Sequence, residues 1–308
     1  MTDIPTRTLG RTGFAATTLG YGAMELRGSG PMAPEVSDTE AEQLLNLVLD
    51  SGINFIDTSI DYGRSEELIG RYIAHRRDEY FLASKCGCVV GIPTIHEHVH
   101  TAENIRKGVE NSLRLLQTDH LDLVQFHRSL TQQEFEAEGA LQEAMKLKDE
   151  GKVRFVGVSA TLPQMVEQIG MGCFDTFQVP YSLLQREHEA VIARASAAGA
   201  GIIIRGGAVR GTPTDWDGRW YYMIEKDTLK QRWEQARLDD LLDGMSRMEL
   251  TVRFTLSNPD LDTTIIGTRS PAHLRDNIGY AMKGPLPDDL VEEIKLRVGE
   301  TGSIPEPV

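Results

Sequence analysis

Polar residues of four kinds interrupt stretches that are otherwise apolar. Asp57 lies in INFIDTS, Asp61 and Tyr62 just beyond it, Lys85 in YFLASKC and His127 in LDLVQFH. A carboxylate, a phenol, an ammonium and an imidazole in one place can run acid–base chemistry. A charged side chain in an apolar run is rarely buried without a partner, so Asp57 and Lys85 are expected to pair. From spacing alone two arrangements stay open. The pair could be a structural ion pair with Tyr62 and His127 as ordinary rim residues, or the set could converge on one reacting group.

The elements that must carry these residues recur along the chain. Strand-like runs are expected at Thr17–Gly22, Ile53–Ser59, Tyr80–Cys86, Leu121–His127, Val153–Ala160, Thr176–Ser182, Gly201–Gly207 and Asp262–Thr268. Several are near-continuous apolar runs, as in parallel strands buried on both faces. Helical spacing appears between them, at Asp38–Leu49 behind an acidic cap, at Thr101–Leu116 behind a weak capping box, at Glu138–Lys148 and at Glu187–Ala198. Gly52, Gly151 and Gly199 each fall between a helix and a strand, where a left-handed cap is wanted.

Alternation without a linker predicts a single α/β domain over residues 1–308, a (β/α)8 TIM barrel. An open doubly wound sheet would carry a glycine-rich dinucleotide turn after its first strand, and none is present. Thr6–Gly13, before the first strand, reads as the turn of an N-terminal β-hairpin that would plug the barrel bottom. A long loop after strand seven, from Arg210 to about Met245, holds Trp216, Trp220, Tyr221 and Tyr222 and is expected to shape a substrate site. On this scaffold Asp57, Tyr62, Lys85 and His127 all reach the C-terminal mouth, where barrel chemistry occurs.

Bulk composition narrows the classes. The 308 residues carry 46 acidic and 32 basic side chains, a net charge of −14, which disfavours nucleic acid and anionic membrane surfaces as partners. The three cysteines, Cys86, Cys88 and Cys173, argue against a disulfide framework. With no apolar signal core at the N-terminus and no membrane-length apolar run, a cytoplasmic protein is expected. The oligomeric state is not legible.

The motifs themselves carry a resemblance. DTSIDYGRSEE at residues 57–67, followed by Leu68-Ile69-Gly70, joins Lys85 in LASKCG and His127 in LVQFH. With RTLGRTGFAATTLGYGAM near the start and IIGTRSPAHLRDNI near the end, nearly the whole chain resembles the aldo-keto reductase superfamily. The resemblance implies an oxidoreductase that transfers hydride between NAD(P)(H) and an aldehyde or ketone, or the corresponding alcohol. It implies Asp57, Tyr62, Lys85 and His127 as the catalytic tetrad. Lys85 would lower the pKa of Tyr62 from its ordinary value of about 10, Asp57 would hold Lys85 charged, and His127 would position the carbonyl.

The cofactor set is carried over in the same way. Ser159 and Gln178 match positions that hold the nicotinamide carboxamide, while Ala160 stands where asparagine is usual. Arg205 stands where many members stack a tyrosine on the ring. Gly267, Thr268, Arg269, Ser270 and Asn277 match the adenosine-phosphate segment. His273 replaces an arginine that often clasps the 2′-phosphate, leaving Arg269 and, more weakly, Arg275. NADP(H) is the expected cofactor, with NAD(H) an alternative, and a small carbonyl or alcohol compound the expected partner.

Other signals are discounted. His96-Glu97-His98-Val99-His100 follows the third strand behind Pro93, and no metal is expected there. Cys86-Gly87-Cys88 is not C-x-x-C, and its thiols are expected to pack. Leu241, Met245 and Met248 read as a helix face. Two further functions compete with hydride transfer. One is a non-catalytic NADP-binding sensor or regulatory subunit of the same fold, favoured by Ala160 and Arg205. The other is a lyase using Lys85 as a Schiff-base nucleophile, disfavoured by the charged lysine such a tetrad contains.

Overall fold

The computed structural model describes residues 4–28, 36–90, 98–209 and 223–299. Eight parallel strands close into a barrel: β3 (Leu19–Gly22), β4 (Phe55–Asp57), β5 (Phe81–Cys86), β6 (Leu121–Phe126), β7 (Val153–Ser159), β8 (Thr176–Pro180), β9 (Gly201–Arg205) and β10 (Thr263–Ile266). Each neighbours the next, and β10 closes on β3 through Thr264 opposite Leu19 and Ile266 opposite Tyr21. All eight expected runs are strands, shorter at their ends. Every residue of β5 and β6 is buried, because helices cover one face and the barrel interior the other.

The period of two along each strand divides the core. Ile56, Leu82, Val124, Val156, Ile202 and Ile204 point outward into one core cluster with the surrounding helices, to which α1 (Asp38–Asp50) contributes Leu44, Leu45 and Val48 and α3 (Ala102–Leu116) Ile105 and Val109. Phe55, Phe81, Leu123 and Ile203 point inward and form a second cluster at the barrel bottom. Phe81 stacks on Phe55 at 5.4 Å and on Phe155 at 6.2 Å between ring centroids.

The hairpin plugs this end, as expected, but is wider than Thr6–Gly13. Its strands are β1 (Thr6–Thr8) and β2 (Ala15–Thr17), so Thr17 belongs to the hairpin and not to the first barrel strand. Leu9 and Ala16 enter the inner cluster, and Phe14 lies 4.8 Å from Phe81. Gly10 sits at φ +42°, where a Cβ would lie 2.2 Å from the Gly201 nitrogen, so a side chain has no room. Arg7 donates to the carbonyls of Asn258, Leu261 and Leu256, and Arg11 to those of Gly199, Gly172 and Ala198. Asp262 accepts from the backbone of both Gly10 and Ile202, tying plug to strand.

Helix α2 (Ser65–Ile73) follows β4, and α4 (Gln132–Ala137) and α5 (Ala140–Asp149) follow β6. The helix expected over Glu138–Lys148 therefore begins only at Ala140, because Gly139 takes φ +72° and separates two helices. The cap of α1 is Ser37 and not an acid: Ser37 and Glu40 form a full capping box, freeing Asp38 to pair with Arg64 and Arg71. Gly52, Gly151 and Gly199 do take left-handed conformations. Next come α6 (Gln164–Met171) and α7 (Glu189–Ala197), the latter shorter than expected at both ends.

The stretch expected as one long loop after the seventh barrel strand is helical in its second part. Here α8 (Met223–Gln235) turns Leu229 and Trp233, four residues apart, into the core. Its charged sequence hid that pattern. Trp216, Trp220, Tyr221 and Tyr222 lie outside the described residues. Leu241, Met245 and Met248 do pack on the core, but only Met248 lies in α9 (Arg247–Leu256), with Leu241 in a separate 3-10 turn. The chain continues through α10 (Pro271–Met282) and α11 (Asp288–Val298). Among the described residues no helix is long and apolar enough to cross a membrane.

Candidate active site

The parity that turns Phe55, Phe81, Leu123 and Ile203 inward at the bottom turns Asp57, Lys85, Gln125 and Arg205 inward at the top. Ser159 and Gln178 share that layer, opposite each other on β7 and β8. Lys85, fully buried, donates to Asp57 Oδ1 and, at 3.0 Å, to the Thr58 carbonyl. Gln125 Nε2 reaches the same Asp57 oxygen at 2.9 Å and Gln178 Nε2 at 2.8 Å. Since β8 lies across the barrel from β4, the Gln178 bond runs through the interior. The expected Asp57–Lys85 pair is thus present, with two amides holding the carboxylate.

Gln125 was not among the residues singled out from sequence. Its signal is parity: it stands two residues before His127 on the same face of an apolar strand. Gln178 was expected to face a nicotinamide carboxamide; its amide nitrogen is instead committed to Asp57.

Tyr62 follows a turn closed by its own N–H on the Ser59 carbonyl at 3.1 Å. The next residue, Gly63, sits at φ +51°, where a Cβ would lie 2.1 Å from the Arg27 carbonyl oxygen. Only glycine permits that approach, and it sets where Tyr62 stands. Its ring meets His127 edge-on at 5.8 Å. Burial pushes the phenol pKa up, with Asp57 and Asp61 adding to the effect and Arg205 opposing it. The expected lowering by Lys85 is thus corrected: burial and the neighbouring carboxylates raise the phenol pKa, which keeps Tyr62 protonated at neutral pH.

His127 stands one residue beyond β6, its N–H on the Cys86 carbonyl at 3.0 Å. Burial, and then Lys85 and His98, press its pKa down, leaving a neutral imidazole. Its Nδ1 lies 3.1 Å from Cys88 Sγ, 3.3 Å from Ser59 Oγ and 3.5 Å from Asp61 Oδ1. Cys86 packs outward in the core as expected, whereas Cys88 faces the mouth. His98 also approaches, its ring 5.4 Å from that of His127, while His96 lies outside the described residues.

A second group gathers where β10 meets α10. Gly267, Thr268 and Arg269 form the turn, and Ser270 caps the helix by accepting from the His273 N–H at 3.3 Å. Tyr21 of β3 donates to the Thr268 carbonyl at 2.9 Å, fastening the turn to the barrel. A Cβ on Gly267 would lie 2.7 Å from the Gly22 carbonyl oxygen. No acid occupies the first turn of α10, so its N-terminal amides can meet an anion without repulsion. Glu40's carboxyl is held below its ordinary pKa first by its bonds to Ser37 and last by the charge of Arg269 nearby. Asn277 is buried within α10.

A family model described as the Aldo/keto reductase family matches residues 18–296. The chain is 30% identical over 288 residues to the Bacillus subtilis (strain 168) protein named aldo-keto reductase YhdN, covering 85% of this chain and 84% of that one. It is 27% identical over 294 residues to the L-galactose dehydrogenase of Arabidopsis thaliana, covering 90% and 88%. The solved holo form of aldo-keto reductase AKR11C1 from Bacillus halodurans superposes with a TM-score of 0.81 at 23% identity over 98% of each chain, a likeness of fold.

Proposed function

The chain belongs to the aldo/keto reductase family, and on that premise we propose that it interconverts a carbonyl and an alcohol using NADP(H), with Tyr62 as the acid–base. The observation that carries this reading is the buried Lys85–Asp57 pair at the mouth where the Tyr62 and His127 rings meet edge-on. A purely structural ion pair would not need a phenol and an imidazole facing each other at the same mouth.

The residues fit a nicotinamide dinucleotide at both ends. The uncharged first turn of α10, with Arg269 beside it, suits phosphate. Gly267, Thr268 and Asn277 would hold that end, and Arg269 would favour a 2′-phosphate. Ser159, Gln178 and Arg205 would hold the nicotinamide end, Gln178 through its carbonyl oxygen because its nitrogen serves Asp57. When bound, the cofactor supplies or accepts the hydride.

The remaining steps belong to this chain. His127, neutral, donates a hydrogen bond through Nε2 to the substrate oxygen and aligns it. Tyr62 gives its proton to that oxygen during reduction and takes it back during oxidation. An ammonium has three N–H donors; Lys85 uses two on Asp57 and Thr58. We propose that the third turns to the Tyr62 oxygen during the reaction, where it would stabilise the phenolate that proton transfer leaves. Asp57, held by Gln125 and Gln178, keeps the lysine charged and aimed. A polyhydroxylated substrate is consistent with a relative named L-galactose dehydrogenase, and the residues from Trp216 to Tyr221 are assigned to its specificity.

The test is consumption of NADPH, with NADH in parallel, against an activated aromatic aldehyde. Tyr62→Phe should lower kcat by about 10²–10⁴-fold while cofactor affinity holds. Unchanged turnover in that variant would remove Tyr62 from the mechanism. Cofactor binding without turnover in either direction would favour the sensor reading.

A further inference from the structure

Behind the catalytic histidine four groups of different chemistry converge. Asp61, Cys88, His98 and His127 each offer one ligand atom, and these atoms all lie within 4.8 Å of one another. They arrive from four places: the turn after β4, the turn after β5, the segment before α3 and the end of β6. The proposed hydride transfer uses none of the first three.

We propose that Asp61, Cys88, His98 and His127 form a binding site for a zinc-class divalent cation. One thiolate, one carboxylate and two imidazoles are the donor set such an ion selects, and two anionic ligands balance its charge. Metal–ligand bonds of about 2.0–2.3 Å set tetrahedral edges of roughly 3.3–3.8 Å. The Cys88 Sγ–His127 Nδ1 separation of 3.1 Å and the Asp61 Oδ1–His127 Nδ1 separation of 3.5 Å already approach those edges.

Two further observations point to a ligand. Asp61 is 4% exposed, yet its Oδ2 is buried with no hydrogen-bond partner. A buried carboxylate oxygen left in that state is costly unless something positive meets it. Cys88 and His98 are also held by main chain and not by chance side-chain contact. They face each other in an antiparallel bridge, Val99 N–H donates to the Gly87 carbonyl at 2.7 Å, and Asn104 Nδ2 clamps the Val99 and Cys88 carbonyls. Ser59 Oγ donates to Asp61, supplying that carboxylate with the outer hydrogen bond that metal ligands need.

The site has a consequence for the mouth. A cation on His127 Nδ1 leaves the ring proton on Nε2, the nitrogen able to donate to a substrate oxygen. It also ties the segment carrying His98 to the catalytic histidine. With four protein ligands the ion has no open position, so it orders the mouth and does not itself react. No metal is expected at His96–His100 from sequence, where converging carboxylates and outer partners cannot be located; folding brings Asp61 to His98.

The full chain, stripped with chelator and assayed without substrate, tests this independently of hydride transfer. Zn²⁺ should bind at one equivalent per chain. Co²⁺ should give tetrahedral visible bands and a thiolate-to-cobalt charge-transfer band. Cys88→Ser should abolish the charge-transfer band, and His98→Ala, at a half-buried position, should weaken Zn²⁺ at least about tenfold. Absence of saturable uptake would overturn the proposal. So would stoichiometric uptake that survives in both variants, which places the ion elsewhere.

Discussion

The same strands are lined with Phe55, Phe81, Leu123 and Ile203 at one end and with Asp57, Lys85, Gln125 and Arg205 at the other. Parity is identical; only residue type changes. At the bottom, interlocked rings and the hairpin fill the interior with mainly apolar groups, the Thr176 and Thr263 hydroxyls lying among them. At the top, a buried charge pair needs two glutamines to hold it, and Gln125 Oε1 and Asp61 Oδ2 are still without hydrogen-bond partners. The bottom gains stability from burial that the top forgoes in exchange for chemistry. A barrel can therefore keep its fold constant at one end and vary its reaction at the other.

That contrast breaks if substitutions at the two ends have the same effects. The largest consequence is expected at Lys85→Met. Turnover should fall by about 10²–10⁴-fold. Stability should also drop by about 3–5 kcal/mol, because Asp57 stays buried without its partner. Adding Asp57→Asn to Lys85→Met should recover much of the stability and none of the activity; a urea-unfolding cycle alongside kcat separates the two. Recovery of turnover would mean the pair is structural.

Next is Phe81→Ala at the bottom, expected to cost about 3–5 kcal/mol through the cavity it leaves. Turnover of the folded fraction should stay near wild type, and a large drop in kcat would show the ends to be coupled.

Glu66 on α2 sharpens the comparison from outside the barrel. It is buried against Ser84, and burial lifts its pKa from the ordinary 4.5 to about 7. The folded chain thus holds a proton between those values that the unfolded chain releases. Its contribution is intact below about pH 4.5 and is lost as pH rises through about 7. Glu66→Gln should flatten this slope and stabilise by up to about 3 kcal/mol at pH 8. Denaturation midpoints at pH 5 and pH 8 read it, and equal slopes in both proteins would reject it.

The smallest effect is expected for Gly10→Ala in the hairpin. Strain at φ +42° and contact with the Gly201 nitrogen should cost about 1–3 kcal/mol and expose amides of β1 and β2 to hydrogen exchange. Exchange rates matching wild type would show that the plug adapts.

Much of this was legible because it is local. Strand periodicity, the left-handed glycines at 52, 151 and 199 and the polar breaks at 57, 85 and 127 are properties of short segments. Even the ion pair followed, since a charge in an apolar run must find another. The helix at Met223–Gln235 was obscured because charged and polar residues dominate its sequence, leaving Leu229 and Trp233 as a faint apolar signal.

What the residues of this chain determined alone was the alternation of strand and helix and which strand positions carry polar groups. Beyond the Asp57–Lys85 pair, tertiary structure decided which of those groups meet. Barrel closure carried Gln178 across the interior to Asp57, and loop packing brought Asp61, Cys88 and His98 behind His127. Periodicity tells which face a side chain takes. Distances between faces depend on how the sheet closes and how its loops fold back, and no single segment contains that information.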